Sequence, residues 1–278
     1  TRMAIFASLP GLALIVVDEE HDASYKQQEG ARYSARDLAL WRARDQGAKV
    51  ILGSATPSLE SWHASDPAVG RYQRLEMPSR IGAGALPRLR LIDMGQQPRG
   101  AIFAPPLLAA ITERVERGEQ CLVLLNRRGF APVLHCHACG WKSDCPHCSA
   151  HQVFHKTDRT LQCGQLLRNV ITPERRAARV ARIDADTTKA KGALEEQLAQ
   201  VHAGDVDVLV GTQMVAKGHD FRRITLVAAV QPDGALFSSD FRAPERLFAL
   251  LMQAAGRAGR DARYLAAQQS RPELWLQT

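Results

Sequence analysis

The sequence predicts an α/β protein built on parallel β-sheets, and three observations favour this class. Short apolar runs rich in Val, Ile and Leu recur at residues 12–18, 49–54, 120–126, 180–184, 207–212 and 225–230. These runs are continuous rather than alternating, which is typical of strands covered on both faces. Segments of helical character lie between them, at 35–47, 105–119 and 245–260. Alternating strands and helices predict sheets with helices packed on their faces.

Two interruptions divide this pattern into domains. Residues 77–100 are rich in Pro, Gly and Arg and lack apolar periodicity, so we interpret them as a linker that follows a first domain at 1–76. A second domain is expected at 101–134 and 176–278. Residues 135–175 hold five of the six cysteines and predict an insertion within the second domain.

The composition indicates a globular protein. The 278 residues are 45% hydrophobic and 23% charged, and this length suits two domains. Lys and Arg number 36 against 29 acidic residues, a net charge of +7 that favours a polyanionic partner only slightly. No apolar run approaches the roughly 20 residues that cross a bilayer, and no charged-then-apolar leader opens the sequence. We therefore expect a cytoplasmic protein without a membrane partner.

Three acidic residues and a histidine, Asp18-Glu19-Glu20-His21, follow the first apolar run. In open parallel sheets, ligands bind beyond the carboxyl ends of the strands. An Asp in that place can hold Mg²⁺, and the following Glu can orient or deprotonate an attacking water. A bound metal–nucleotide would offset the repulsion among these like charges. The alternative is an acidic turn that caps the next helix.

Two further segments that follow apolar runs favour a nucleotide site. The sequence GSATPS at 53–58 supplies small residues and hydroxyls, among them Gly53 and Thr56, which suit a strand-to-loop switch. The sequence GTQMVAKGHDF at 211–221 supplies a set suited to phosphates, namely Gly211, Thr212, Lys217 and Gly218.

An arginine pair ends the last helical segment. In QAAGRAGR at 253–260, Arg257 and Arg260 are three residues apart, and helical spacing would place them on one side of the helix. Guanidinium groups can stabilise charge that develops on a γ-phosphate. A solvated arginine face is the alternative.

Taken in order, DEEH, GSATPS, GTQMVAKGHDF and QxxGRxGR resemble motifs II, III, V and VI of superfamily 2 helicases. Longer stretches resemble, more narrowly, the primosomal protein N′ family of replication-restart helicases: VVDEEHDASYKQQEGARYSARDLA, LLNRRGFAP, CHACGW, RIDADTTKAKGALE and DGALFSSDFRAPERL. The resemblance covers nearly the whole chain. It implies two RecA-like parallel-sheet lobes, the first incomplete, with a zinc-binding insertion in the second.

The activity that the resemblance implies is an ATP-dependent 3′→5′ DNA helicase. Such an enzyme recognises stalled or D-loop forks and initiates primosome assembly for replication restart. Its implied cofactors are ATP, Mg²⁺ and Zn²⁺. Its implied partners are forked and single-stranded DNA, primosome proteins and single-stranded-DNA-binding proteins.

The resemblance also implies roles for individual residues. Asp18 would be the Mg²⁺-associated acid and Glu19 the catalytic base. His21 and Gln253 would couple nucleotide to DNA, and the two arginines of motif VI would be arginine fingers. The acids of the first lobe and the arginines of the second would face each other across one triphosphate.

Residues 24–33 would correspond to an aromatic-rich loop that reports single-stranded DNA to the ATP site. Tyr25 and Tyr33 could stack on bases. The basic residues expected on the DNA track include Lys26, Arg32, Arg127 and Arg128. The alternative for the loop is a flexible polar segment with two incidental tyrosines.

The cysteine spacing indicates a zinc site. Two C-x-x-C knuckles and one later cysteine supply the candidate ligands Cys136, Cys139, Cys145, Cys148 and Cys163. Two such knuckles close together are strong evidence for zinc. The family carries eight cysteines in this insertion and binds two zinc ions, so the region is shortened here and we expect about one ion.

Three explanations of the shortened region stay open. The first is that residues are missing and the numbering continues across the gap, and the second is that the gene is damaged. The third is that the four paired cysteines have regrouped around one ion and leave Cys163 spare. Cys121 lies within an apolar run and is most simply a buried core thiol.

No G-x-x-x-x-G-K-[ST] sequence occurs in the chain, and in the family this P-loop precedes motif II. We therefore expect the chain to be the portion of the motor from motif II onward, and to hydrolyse little or no ATP alone. Two hypotheses stay open: the catalytic portion of a restart helicase, or a non-catalytic zinc-bearing DNA- or protein-binding remnant of it.

Overall fold

The computed structural model describes residues 2–78, 86–98, 101, 103–125, 153–155, 160–162, 178–183, 188, 192–212, 215, 220–237 and 240–278. The chain divides into two compact units, Thr1–Met77 and Pro78–Thr278. Both are of the α/β class with parallel strands, which confirms the predicted class.

The first unit contains a two-stranded parallel sheet of β1 (Leu14–Asp18) and β2 (Lys49–Gly53). Its register pairs Asp18 with Gly53, so both strands end at the same edge. Val17 is buried, whereas Leu14 is 48% and Val16 is 61% exposed. The prediction that these strands are covered on both faces is therefore wrong within the residues described, where helix packing covers only one face.

Two α-helices complete the first unit, together with a 3₁₀ helix at Arg2–Phe6. Helix α1 (Ala35–Gln46) begins after Ser34, whose hydroxyl accepts a hydrogen bond from the backbone of the first turn, and such caps fix helix starts. Helix α2 (Leu59–Ala64) begins after Ser58 in the same way.

A six-stranded parallel sheet forms the centre of the second unit, with strand order β3-β10-β9-β4-β8-β7. Its strands are β3 (Arg88–Ile92), β4 (Gln120–Leu125), β7 (Val180–Ile183), β8 (Val208–Gly211), β9 (Ile224–Val230) and β10 (Glu273–Gln277). A separate antiparallel pair is formed by β5 (Val153–His155) and β6 (Thr160–Gln162).

Helices cover both faces of the six-stranded sheet. They are α3 (Pro105–Glu116), α4 (Ala193–Ala203), α5 (Ala243–Ala255) and α6 (Ala262–Gln268). On β4, Cys121 and Val123 join one buried cluster, and Leu122 and Leu124 join the other. The central strands β8 and β9 are buried at every residue, which confirms that their continuous apolar runs indicate cover on both faces.

Strand β3 corrects one prediction. The predicted linker, residues 77–100, includes residues 88–92, which pair in parallel with β10 at the edge of the sheet. Their sequence, RLRLI, alternates basic and apolar residues, because an edge strand needs less apolar cover than a central one. A search for continuous apolar runs therefore misses it.

A buried ion-pair network lies where the strands of this sheet begin. Arg114 of α3 contacts Glu119 at 3.2 Å and Glu273 at 3.3 Å. Glu119 also accepts hydrogen bonds from Thr225 and from Ser270, the latter at 3.0 Å. Because charged groups are costly to bury alone, the members of this network stabilise one another only together.

Among the described residues, no helix is both long and apolar enough to cross a bilayer.

Candidate nucleotide and DNA site

The end of β1 carries an exposed carboxylate, Asp18, and a partly exposed one, Glu19. Asp18 is the last residue of the strand, and its Oδ1 accepts a hydrogen bond from the backbone N–H of Glu19 at 2.9 Å. Glu19 has a φ of 48°, in the left-handed region that non-glycine residues rarely adopt. Backbone strain of this kind costs about 1–3 kcal/mol and clusters at functional sites. The strand end therefore holds Glu19 in a conformation that its own propensity does not explain.

His21 joins this acidic motif to the loop that follows β2. Its Nδ1 lies 2.7 Å from the Ser54 hydroxyl, and its Nε2 lies 3.5 Å from the Thr56 hydroxyl. The Ser54 hydroxyl also accepts a hydrogen bond from the Thr56 backbone. The same Nδ1 lies 3.5 Å from a carboxylate oxygen of Glu19, so the imidazole contacts both segments.

Glu20 differs from the two acids before it, since it is only 2% exposed. One carboxylate oxygen accepts a hydrogen bond from the backbone N–H of Ser58 at 2.6 Å. The other accepts from the hydroxyls of Ser58 and Ser61 and from Arg36 at 3.2 Å. Its charge is offset by these groups, so the prediction that a metal–nucleotide offsets all three acids is wrong for Glu20. Sequence reasoning gave no role to Arg36 and Ser58, although both stand in the quoted motifs, and it missed Ser61.

The two ends of the segment predicted as the aromatic-rich loop are joined by a short antiparallel pairing. Lys26 bridges to Ser34, and the N–H of Gln27 donates to the carbonyl of Tyr33 at 2.8 Å. Lys26 and Arg32 are exposed. Their contact with DNA, and base stacking by the tyrosines, stay predictions.

Both tyrosines of this loop already have contacts. The Tyr25 hydroxyl donates to the backbone carbonyl of Asp18 at 2.6 Å. Burial raises the pKa of Tyr25, and the neighbouring carboxylates raise it further, so the phenol remains a hydrogen-bond donor. The Tyr33 ring meets Phe6 edge-on at 5.1 Å. The loop is thus tied to the end of β1 through Tyr25.

Gly211 and Thr212 lie at the end of β8. A Cβ at Gly211 would lie 2.8 Å from the Ile183 carbonyl and 2.7 Å from the Val215 methyl groups, closer than real Cβ atoms approach. Close packing therefore demands glycine here, whether or not a phosphate binds. At Gly53 a Cβ would meet Asp18 Oδ1 at an ordinary 3.6 Å. Lys217 and Gly218 lie outside the described residues.

The arginine pair lies beyond helix α5. That helix ends at Ala255, with Gly256 as its C-cap, and Gly259 has a φ of 69°. The prediction that Arg257 and Arg260 share one side of a helix is therefore wrong, because the helix ends at Ala255, before both of them. Both arginines sit in the turn region that follows.

The two arginines have different surroundings. Arg257 is 8% exposed, so a solvated arginine face does not describe it. Arg260 contacts Asp220 at 3.1 Å and donates to the Gly256 carbonyl at 2.9 Å. Gln253, on the last turns of α5, is 7% exposed. Their nucleotide roles stay predictions.

In the part of the chain that the structure describes, no group of three or more His, Cys, Asp or Glu side chains is placed to hold a metal ion. The predicted zinc ligands and two of the predicted DNA contacts lie outside that part: Cys136, Cys139, Cys145, Cys148, Cys163, Arg127 and Arg128.

Comparisons with known proteins agree with this arrangement. Residues 149–262 match the helicase conserved C-terminal domain. The chain is 42% identical to the replication restart protein PriA of Haemophilus influenzae, over 94% of the chain and 39% of that protein. It is 37% identical to PriA of Bacillus subtilis, over 93% of the chain and 36% of that protein. The PriA of Treponema pallidum matches at 37% over 93% of the chain and 43% of its own length.

Solved structures share the fold at low identity. The DUF1998 helicase MrfA, bound to DNA and AMPPNP, matches with a TM-score of 0.52 and 15% identity over 96% of the chain and 30% of its own. The Dbp5 L327V protein of S. cerevisiae, bound to RNA and ADP BeF3, matches with a TM-score of 0.50 and 15% identity over 97% of the chain and 54% of its own.

These two structures support a helicase-type α/β fold. The chain spans about two fifths of the length of the curated relatives that it matches. Over nearly all of its own length it belongs to the PriA family of replication restart proteins.

Proposed function

We propose that this chain is the portion, from motif II onward, of an ATP-dependent 3′→5′ DNA helicase that recognises stalled or D-loop forks and initiates primosome assembly in replication restart. The relatives' names support the restart role. The observation that carries the proposal is Glu19, a partly exposed acid in a left-handed backbone conformation directly after the strand-end Asp18. Backbone strain at a strand end is expected where an acid must be held for chemistry.

In the proposed reaction, water attacks the γ-phosphorus of ATP, and the bond to the β-phosphate oxygen breaks to release ADP. Glu19 accepts the proton of that water. Asp18 would hold Mg²⁺, which neutralises phosphate charge when bound. Thr56, Gly53 and the Gly211–Gly218 segment would contact the nucleotide.

The second unit supplies the positive charge in this proposal. Arg257 and Arg260 would stabilise the charge that develops on the γ-phosphate, as planar guanidinium groups do in related reactions. Gln253 and His21 would couple the nucleotide to DNA. The acids and the arginines belong to different units, so the proposed turnover requires residues of both.

Zinc is proposed for the cysteine-rich segment on the chemistry of its donors. Four thiols in two C-x-x-C knuckles match the ligands of structural zinc sites. The proposed partners are forked and single-stranded DNA, with primosome and single-stranded-DNA-binding proteins. A cytoplasmic location is proposed with them, since chromosomal DNA of bacteria lies there.

A chimaera tests the proposal. This chain replaces the matching segment of Haemophilus influenzae PriA, and ATP hydrolysis is measured with and without single-stranded DNA. We expect the 278-residue chain alone to show little or no hydrolysis, and the chimaera to hydrolyse ATP in a DNA-dependent way. In the chimaera, Glu19→Gln should lower kcat at least about 100-fold, because it removes the base.

The matched control is Glu76→Gln, an exposed acid of the first unit that lies outside both the acidic motif and the predicted loop. It should leave kcat within about twofold. A folded chimaera that is inactive, beside an active parent protein, would instead favour the non-catalytic remnant. Vigorous turnover by the chain alone would contradict the expectation that the motor is incomplete.

A further inference from the structure

A cluster that the reaction above does not use ties three segments of the first unit together. The cluster comprises Glu20, Arg36, Ser58 and Ser61, and we name it the Glu20 node. Arg36 Nη1 donates to Glu20 at 3.2 Å and to the Ser58 hydroxyl at 3.0 Å. The Ser61 hydroxyl donates to Glu20 at 2.9 Å. One buried carboxylate thus joins the acidic motif, the start of α1 and the start of α2.

The node lies at both ends of the predicted DNA loop. Residues 22–34 contain the predicted loop, and we call this segment the 22–34 excursion. Glu20 comes just before the excursion and Arg36 just after it, so their contact closes the excursion at its base. The excursion is fastened to the acidic motif a second time, because Tyr25 donates to the Asp18 carbonyl. A displacement of its returning end must therefore move Arg36.

The node also lies at the end of the 53–58 loop. Ser58 closes that loop and caps α2, and its backbone N–H donates to Glu20 at 2.6 Å. Two residues earlier, Thr56 lies 3.5 Å from His21, which in turn lies near Glu19. A displacement of Arg36 would thus reach the groups around the proposed base through Ser58.

Burial makes this linkage strong. The Glu20 side chain is 1% exposed and that of Arg36 is 19% exposed. A buried carboxylate that loses its cation is left uncompensated in a medium of low polarity. The three segments therefore do not move independently: either the contacts persist and they move together, or the node opens.

We infer that Arg36 is a positioning residue that transmits occupancy of the 22–34 excursion to the 53–58 loop through the Glu20 node. The ligand of the excursion is taken to be single-stranded DNA, which rests on the proposed function. The linkage itself rests on the contacts alone. Arg36 touches neither the nucleotide acids nor the exposed tip of the excursion, so its effect is indirect.

The test is hydrogen–deuterium exchange on the 278-residue chain, with oligothymidylate as the probe. In Arg36→Met, amides of segments 24–34 and 55–62 should both exchange at least about tenfold faster than in the unaltered chain, since the carboxylate loses its cation. Arg44→Met removes an exposed arginine of the same helix and should change neither segment. Acceleration of only one segment, or equal acceleration in the control, would overturn the inference.

Transmission is tested by adding DNA. In the unaltered chain, oligothymidylate should slow exchange in both segments, whereas in Arg36→Met it should slow only 24–34. Arg36→Lys should restore the effect at 55–62, because a single ammonium can replace the one nitrogen, Nη1, that makes both contacts. Slowing of 55–62 in Arg36→Met would overturn the inference. If DNA protects neither segment in the unaltered chain, the DNA proposal fails and the exchange test without DNA still decides the linkage.

A second readout uses the chimaera. Arg36→Met should lower the ratio of DNA-stimulated to basal ATP hydrolysis at least about fivefold and leave the basal rate within about twofold. A purely structural loss would lower both rates alike, and that result would count against a positioning role.

Discussion

Glu19 and Glu20 are adjacent residues of the same type, yet their surroundings are opposite. Glu19 is partly exposed on a left-handed backbone, whereas Glu20 is buried among four hydrogen-bond donors. The sequence predicts a strand that ends in acids, because its apolar run stops at Asp18. It does not predict which acid turns inward, since the partners Arg36 and Ser58 are 16 and 38 residues away and meet Glu20 only after packing.

Gly211 gives a prediction at the same scale. Gly211→Ala should lower the free energy of opening of the second unit by about 1–3 kcal/mol, because the new methyl group would overlap the Ile183 carbonyl and Val215. Exchange of the β9 amides measures it. Gly53→Ala, where the methyl group fits at 3.6 Å, should change the opening of its own unit by about 0.5 kcal/mol or less. Equal effects at the two glycines would contradict the packing argument.

Individual elements show where sequence patterns suffice. The central strands are predicted well because burial on both faces leaves only apolar residues along them, as in β9. The edge strand β3 escapes prediction because it keeps its arginines exposed. The predicted helix at 245–260 is too long, because helix α5 ends at Ala255, with Gly256 as its C-cap. The segment is apolar and rich in Ala, so its periodicity shows no obvious break there. The arginines of motif VI are thereby placed in a turn.

The network at the start of the second sheet predicts a large effect of one helix residue. Arg114→Met should lower the free energy of unfolding of the second unit by about 3–5 kcal/mol, because Glu119 and Glu273 would stay buried without their common cation. Urea unfolding followed by circular dichroism measures the loss. Arg222→Met, which removes an exposed arginine of the same unit, should cost about 1 kcal/mol or less. A small loss in both variants would show that the network contributes little.

The same network predicts a response to acid. Burial of Glu273 raises its pKa, but hydrogen bonds from Trp275 and Arg90 and the charges of Arg90 and Arg114 outweigh burial, so its pKa is lowered from the ordinary 4.5. A carboxyl group whose pKa is lower in the folded state stabilises above its ordinary pKa and loses this contribution as pH falls through the folded value. Unfolding free energy measured from about pH 6 to about pH 3 should therefore decline less steeply in Glu273→Gln. Identical slopes would contradict this.

At the scale of the whole molecule, the chain is two α/β units with a cysteine-rich segment in the second. The family is recognisable because its motifs fall at strand ends, where function constrains the residues. The positions of the zinc ligands are not predictable to the same degree, since spacing identifies donors without saying how five cysteines share an ion.

The zinc content of the whole chain is a prediction at this scale. Elemental analysis should find about one zinc ion per chain, and a chelator should remove it together with local structure, because knuckles of this kind fold around their metal. Cys121 should stay unmodified by thiol reagents in the folded chain. It is 0% exposed, and burial raises the pKa of its thiol. A fully folded, metal-free preparation would contradict the knuckle interpretation.

The pairing of β3 with β10 has a mechanical consequence. Strand β3 is the first element of the second unit, and within the sheet it touches β10 alone. A pulling force applied to β3 would therefore act on the last strand, 273–277, before it acted on β9. Deleting 272–278 should leave β3 without the strand that it pairs with and expose the edge of β9.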